Sequence, residues 1–372
     1  MPRATAPFLS LFAVAFIAAC ADQSSNPTAP IGATSQVAAS RQGDADEANL
    51  EDDQGDDDLP YTLAVIGDTP YGPVKLAEFP SLIARINADP EVQLVTHLGD
   101  IKAGKNAPCT DEYFTMIRDF FATFADPLVY TPGDNEWTDC HVGIKNNGLY
   151  TPTERLQKVR SLFFPVPGRT LGQEAMHVVT EARDPGNSAY VENTMFRKAR
   201  VVFGVLNIAG SNNDLASWGT PLPADAVNYP SQSEEYAARA RANAAWLDRV
   251  FGIAERTNAA GVVLAFQADM WDPAEPTLSG FDALVQQIGT RAASFGKPVL
   301  LLEGDSHKFN VDNPFSMASA LHVLHASTPV ADNVTRIVVE GSDAGRTEYL
   351  RLSIDPRKKA ASLFSWERVP LN

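Results

Sequence analysis

Apolar runs of strand length recur along this chain of 372 residues, separated by stretches with helical spacing. Residues 61–67 (YTLAVIG), 92–98 (VQLVTHL), 128–131 (LVYT), 261–266 (GVVLAF) and 299–303 (VLLLE) carry hydrophobic side chains at mostly consecutive positions. A strand covered on both faces reads that way, as in the parallel sheets of α/β proteins. Leu82, Ile83 and Ile86 within 80–88, and Phe114, Ile117, Phe120, Phe121 and Phe124 within 111–124, instead place one apolar stripe along a helix. Further helices are predicted at 153–164, 231–259 and about 281–295.

Residues 188–208 predict two strands of a hairpin joined through Arg197-Lys198. In the last fifty residues, 321–325, 336–341, 348–354 and 363–369 read as strands, and the alternation of apolar and polar positions in the last segments predicts antiparallel pairing. His322 and His325 fall in the first of these runs, and His97 inside 92–98 reads as a satisfied core histidine. A parallel start and an antiparallel finish with helices outside predict an α/β fold of two sheets packed face to face between helical layers.

Four of the strand-like runs end in Gly-Asp, at Asp68, Asp100, Asp134 and Asp305. Glycine permits a sharp turn where a strand ends, and the carboxyl ends of parallel strands gather in one crevice. The first three aspartates stand 32 and 34 residues apart, the length of a strand–helix–strand crossover. Four carboxylates converging there would repel one another unless a cation sat between them.

Composition divides the chain. Residues 1–19 begin with Arg3 and an apolar stretch from Phe8, too short to span a membrane, and end in small residues before Cys20. That pattern resembles the bacterial lipobox, in which the cysteine becomes the lipidated first residue; the alternative is an ordinary cleaved signal. Residues 20–58 are small, polar and acidic and predict a disordered tether, leaving 59–372 as the folded domain. The expected location is the cell envelope, in the periplasm, at the outer membrane or on the cell surface, with the lipid on Cys20 as the membrane anchor. The net charge of −16 is misleading: 10 acids and 2 bases lie before residue 59, leaving 36 acids against 28 bases, or −8. A mildly acidic domain without a basic stripe argues against nucleic-acid binding by bulk electrostatics. Cys109 and Cys140 each follow a Gly-Asp motif by a few residues, and in an oxidising compartment a disulfide is expected, the alternative being two buried thiols.

The motifs Gly67-Asp68-Thr69-Pro70, Gly99-Asp100-Ile101-Lys102, Gly133-Asp134-Asn135-Glu136 and Gly304-Asp305-Ser306-His307 resemble, in order and spacing, those of the calcineurin-like metallophosphoesterases, which include the purple acid phosphatases. That family reads Asp-x-His, Gly-Asp, Gly-Asn-His-Asp/Glu, a His after an apolar strand, then Gly-His-x-His. The resemblance covers Asp68 to His307 and implies a four-layer α-β-β-α sandwich of two mixed sheets. The departures are specific. Pro70 stands where the first-motif His would be, Asp134 and Asn135 stand for Asn and His, Gln267 ends the fourth strand, and Asp305 replaces the first His of the last motif.

Carried over position by position, the resemblance implies a first cation held by Asp68, Asp100 and His307. A second would be held by Asp100, Asp134, Asp305 and Gln267 or Asp269. Two divalent ions are expected, and a set so rich in oxygen suits Mg²⁺, Mn²⁺ or Ca²⁺ better than Zn²⁺ or iron. The implied activity is hydrolysis of a small phosphomonoester or phosphodiester by metal-activated water. Asn135, at the place of the leaving-group histidine, has no proton to give at neutral pH. Lys102, His141 and Asp269 are the candidates to compensate, and Thr69, Asn207 and Asn212 the candidates for substrate contact. The alternative function is a surface lipoprotein on the same fold that binds a cation or phosphate without catalysis.

Overall fold

A computed structural model describes residues 50, 57–104, 107–141, 150–219 and 221–371. The predicted signal, Cys20 and most of the tether lie outside the described residues. No helix among the described residues is long and apolar enough to cross a membrane.

The chain forms an α/β fold with two mixed sheets. One sheet has five strands in the order β12-β11-β1-β2-β3, built from β1 (Tyr61–Ile66), β2 (Leu94–His97), β3 (Leu128–Tyr130), β11 (Glu348–Ile354) and β12 (Phe364–Pro370). The other has seven in the order β4-β5-β6-β7-β8-β10-β9: β4 (Val179–Thr180), β5 (Thr194–Lys198), β6 (Val201–Val205), β7 (Gly261–Ala265), β8 (Val299–Glu303), β9 (Asn310–Asp312) and β10 (Val334–Val338). The helices are α1 (Gly72–Asn87), α2 (Asp111–Phe121), α3 (Pro152–Phe163), α4 (Gln232–Arg256) and α5 (Asp282–Phe295).

Alternate residues of the apolar runs explain why the runs are unbroken. Leu63 and Val65 of β1 meet Val263, Leu300 and Leu302 of the second sheet, and Phe196 stacks on Phe203 at 4.5 Å in the same cluster. Ala64 and Ile66 point the other way, under Phe79 and Leu82 of α1, Phe114 and Ile117 of α2 and Val159 of α3. Likewise Val262, Leu264 and Leu301 face Trp246 and Phe251 of α4 and Leu284 of α5. Each of these central runs is therefore apolar on both faces because each face has its own core.

Parallel pairing joins β1, β2 and β3 in one sheet and β6, β7, β8 and β10 in the other. The antiparallel expectation for the tail holds for β11, against both β1 and β12, and for the β9 edge of β10, while the other edge of β10 runs parallel to β8. The hairpin turn falls at Ala199 and Arg200, not Arg197-Lys198. Both turn residues have positive φ (50° and 58°), as a two-residue hairpin turn requires, and the preceding pair belongs to β5. The expected strand at 321–325 is absent; a 3₁₀ turn spans Ala320–Val323, because the Ser319 hydroxyl caps the Leu321 amide at 3.2 Å. The first helix starts at Gly72, before Pro80, with proline in its first turn.

Cys109 and Cys140 form a disulfide with their Cα atoms 5.9 Å apart, linking the loop after β2 to the short 3₁₀ turn Thr138–His141 after β3. The bridge closes a sequence separation of 31 residues, so replacing both cysteines by alanine should lower the unfolding free energy by about 3–4 kcal/mol, read by denaturant unfolding. Two free thiols in the unreduced protein would refute the pairing.

Candidate functional site

The parallel strands of both sheets deliver their following loops to one open cleft of about 400 Å³. Tyr71 comes from the loop after β1, Asp100 after β2, Asp134 and Asn135 after β3, Asp305 and His307 after β8, and Asp343 after β10. A larger groove of about 970 Å³ lies beside α3 and α4, lined mainly by apolar groups such as Phe164, Pro165, Pro167 and Tyr190. It contains none of the clustered carboxylates, so chemistry rather than size assigns the site.

Among the described residues, Asp68, Asp100 and His307 each bring one donor atom within 4.8 Å of the others, and so do Asp100, Asp134 and Asp305. Asp100 belongs to both groups. The backbone is bent to achieve this: Asp68, Asp100, Asp305 and His307 all have positive φ (51°, 56°, 69° and 63°). Such a conformation costs a non-glycine residue of order 1 kcal/mol or more, least for aspartate and asparagine. Hydrogen bonds between loops hold it. The Asp305 amide donates to Asp68 Oδ1 at 3.0 Å, the Asn135 amide to Asp100 Oδ1 at 3.1 Å, and the Asp269 amide to Asp305 Oδ2 at 3.2 Å. Glu136 accepts from the amides of Asp100 (3.2 Å) and Gly133 (2.7 Å) and from the Tyr130 hydroxyl (2.7 Å).

The glycines of these motifs make room as much as they turn. A Cβ on Gly133 would lie 2.1 Å from Asp100 Oδ1, and one on Gly304 would lie 2.4 Å from Asp68 Oδ2. The glycine of one motif thus seats the carboxylate of another.

Electrostatics follow from burial. Asp68, Asp100 and Asp305 are pushed well above the usual carboxylate range, first by burial and then by neighbouring carboxylates, Asp134 foremost, while the Asp305 amide partly relieves Asp68. Burial and Asp139 raise Asp134 to about 7. Burial lowers His307, against the pull of Asp343, so its imidazole stays neutral. Its Nδ1 lies 3.4 Å from Asp343 Oδ2 and its Nε2 3.5 Å from Asp68 Oδ1, which turns Nε2 toward the first group. Asp68 Oδ2 is buried with no hydrogen-bond partner. An orphaned carboxylate oxygen among further carboxylates and one neutral imidazole is a donor set that fits divalent cations.

The remaining expected residues divide. Gln267 lies beside the second group, accepting from the Gly210 amide at 2.6 Å and donating to Asp134 Oδ1 at 3.4 Å. Asp269 does not join it: its Oδ1 pairs with the buried guanidinium of Arg336 and accepts from the Trp271 amide at 3.0 Å. Lys102 is fully buried and donates to the Asn135 carbonyl at 2.8 Å, so it offsets carboxylate charge from beneath rather than reaching into the cleft. Burial lowers it to about 8, against the opposing pull of Glu136 and Asp100. His141 packs Nδ1 against the Thr138 carbonyl at 2.6 Å and does not line the cleft. Asn207 is wholly buried and donates to Glu192 at 2.9 Å, and Asn212 accepts from the Gly280 amide at 2.8 Å, so neither amide faces substrate space. Thr69 turns its carbonyl to His97 Nε2 at 2.9 Å, and burial lowers that imidazole to about 4, as a core histidine.

Tyr71 and Asp343 escaped the reading of the sequence. Asp343 had a signal: Ile337-Val338-Val339 is another apolar run that ends near a glycine, with Ser342 inserted before the aspartate. Ser211 heads a left-handed turn in which Ser211, Asn212, Asn213 and Asp214 all have positive φ (51°, 55°, 57° and 69°). The Ser211 hydroxyl lies 2.7 Å from Asp134 Oδ2 and 2.9 Å from Asp139 Oδ1. Arg239, fully buried, fixes the turn through Asn213 Oδ1 (2.5 Å) and the Asn213 carbonyl (3.0 Å).

No family model matches the chain, and no curated protein matches it. Among solved structures, GAP50, the anchor in the inner membrane complex of Plasmodium, is similar at 10% identity and a TM-score of 0.45, over 84% of this chain and 89% of that one.

Two outcomes follow from this geometry. Carboxylates raised by folding hold protons that the unfolded chain releases, so the chelated protein should lose stability as pH rises from about 4 to about 7, where Asp134 titrates. A bound divalent cation replaces those protons, so its effect on melting temperature should grow with pH; a pH-independent effect would exclude the buried carboxylates as its source. Gly304→Ala, by driving a methyl into Asp68 Oδ2, should abolish most of the cation-dependent rise in melting temperature.

Proposed function

We propose that this chain is a metal-dependent phosphoesterase on the four-layer sandwich of the calcineurin-like metallophosphoesterases, exported and anchored through lipid on Cys20. The observation that carries the reading is Asp100, whose carboxylate belongs to both candidate cation groups. The two groups contain the residues that the family resemblance assigns to two metals, apart from the fourth ligand, Gln267 or Asp269, of the second. Cores on both faces of each sheet support the layered fold, and the disulfide supports an oxidising compartment.

Asp68, Asp100 and His307 would hold one divalent cation, and Asp100, Asp134 and Asp305, with Gln267 beside them, a second. Such ions supply Lewis acidity, which makes water nucleophilic at neutral pH and neutralises phosphoryl charge. The chain's own residues orient and exclude. Loop-to-loop hydrogen bonds fix the carboxylates, burial keeps His307 neutral with a lone pair to offer, and Lys102 offsets negative charge from below. The Asn135 amide donates hydrogen bonds at the rim but delivers no proton. That substitution favours a second reading, cation or phosphate binding without turnover.

The test assays p-nitrophenyl phosphate and bis-p-nitrophenyl phosphate after chelation and add-back of Mg²⁺, Mn²⁺, Ca²⁺ and Zn²⁺. Turnover restored by a hard cation and lost in Asp100→Ala is expected. A cation-dependent rise in melting temperature without turnover selects the second reading, and neither response rejects both.

A further inference from the structure

The residue after Pro70, where the family resemblance lacks its first-motif imidazole, lines the cleft. Tyr71 is buried, and its hydroxyl donates to Asp100 Oδ2 at 2.8 Å. Asn135 Nδ2 lies 3.0 Å from the same hydroxyl and 2.5 Å from the same carboxylate oxygen. The three polar groups close a triangle, and the hydrogens settle its sense. The phenol has one proton, given to Asp100; the amide has two, one for Asp100 and one for the phenol oxygen. An Asn135 turned by 180° would set its own carbonyl against the Asp100 carboxylate, so Tyr71 and Asp100 together fix which way the amide points.

Tyr71 is also tied to the other side of the first group. Its hydroxyl is 3.4 Å from His307 Nε2, and the two rings meet edge to face at 5.2 Å and 82°. Its backbone amide donates to Ser342 Oγ at 3.2 Å, while the Ser342 amide donates to the Asp68 carbonyl at 2.9 Å. A side chain present only to fill space would need the ring and not the hydroxyl. Among the described residues, the hydroxyl hydrogen-bonds or approaches only Asp100, Asn135 and His307, all of them in the centre.

We propose that Tyr71 is a positioning residue that takes over from the imidazole missing at Pro70, holding Asp100 in the orientation that faces both cation groups. This inference rests on the proposed metal centre. Outer hydrogen-bond partners of this kind typically change metal affinity by about 10–100-fold.

Titration calorimetry with Mn²⁺, alongside melting of the chelated proteins, tests it. Tyr71→Phe should keep the chelated melting temperature and weaken Mn²⁺ binding about tenfold or more, and Asn135→Ala should do likewise. The double variant should be little worse than the weaker single one, because the two side chains act as a unit on Asp100. Wild-type affinity in Tyr71→Phe, a loss confined to melting temperature, or two losses that multiply would each overturn the proposal. If Tyr71→Phe does not fold, Asn135→Ala decides, since unchanged affinity there removes the triangle. A wild-type protein that binds no Mn²⁺ overturns the metal centre itself, an outcome distinct from a wild type that binds while Tyr71→Phe binds equally well.

Discussion

Asp68, Asp100, Asp134 and Asp305 crowd together at one open cleft, and their mutual repulsion is the constraint that the surrounding structure serves. Two unit charges 4 Å apart repel by about 4 kcal/mol at the effective dielectric of a protein surface, and more deeper inside. Several such pairs rival the 5–15 kcal/mol by which a typical domain is stable. One buried ammonium, Lys102 beneath Asn135, cannot balance them. Protons do so in the bare fold, and cations would do so better, which links folding, pH and ligand in a single equilibrium.

The backbone is arranged to keep the carboxylates close despite this. Asp68, Asp100 and Asp305, which turn into the left-handed region, are each held by an amide from another loop, so the strain at one strand end is offset at the next. Gly133 and Gly304 extend the same interdependence to shape, since each leaves the space that a distant carboxylate fills. The disulfide fastens the loops after β2 and β3 to each other just outside the centre. The site is therefore a property of two sheets and several loops at once, and of none of them alone.

Much of this was legible in the sequence. Unbroken apolar runs announced strands covered on both faces, and the aspartates ending those runs are the ones the fold gathers. Elements set by short-range spacing came out close to their predicted bounds, such as β8 at Val299–Glu303 and β11 at Glu348–Ile354. What failed depended on partners far away in the chain. Asp269 read as a ligand because nothing near it announces Arg336, and Asn207 read as a cleft residue because Glu192 was not in view. Tyr71 went unread, since its partners Asn135 and His307 lie 64 and 236 residues away. The hairpin turn was misplaced by two residues because Ala199 and Arg200 carry no composition that signals positive φ.

The left-handed turn from Ser211 to Asp214 has a consequence for variation in this chain. A segment wound with the opposite hand to an ordinary helix admits glycine, asparagine and aspartate readily and excludes valine, isoleucine and threonine, whose branched Cβ crowds the following carbonyl. Positions 212 and 213 are thereby narrowed to a few residue types even though neither side chain touches the cleft. A short Ser/Asn/Asp run a few residues after a buried strand can thus be the written trace of mirror-handed backbone.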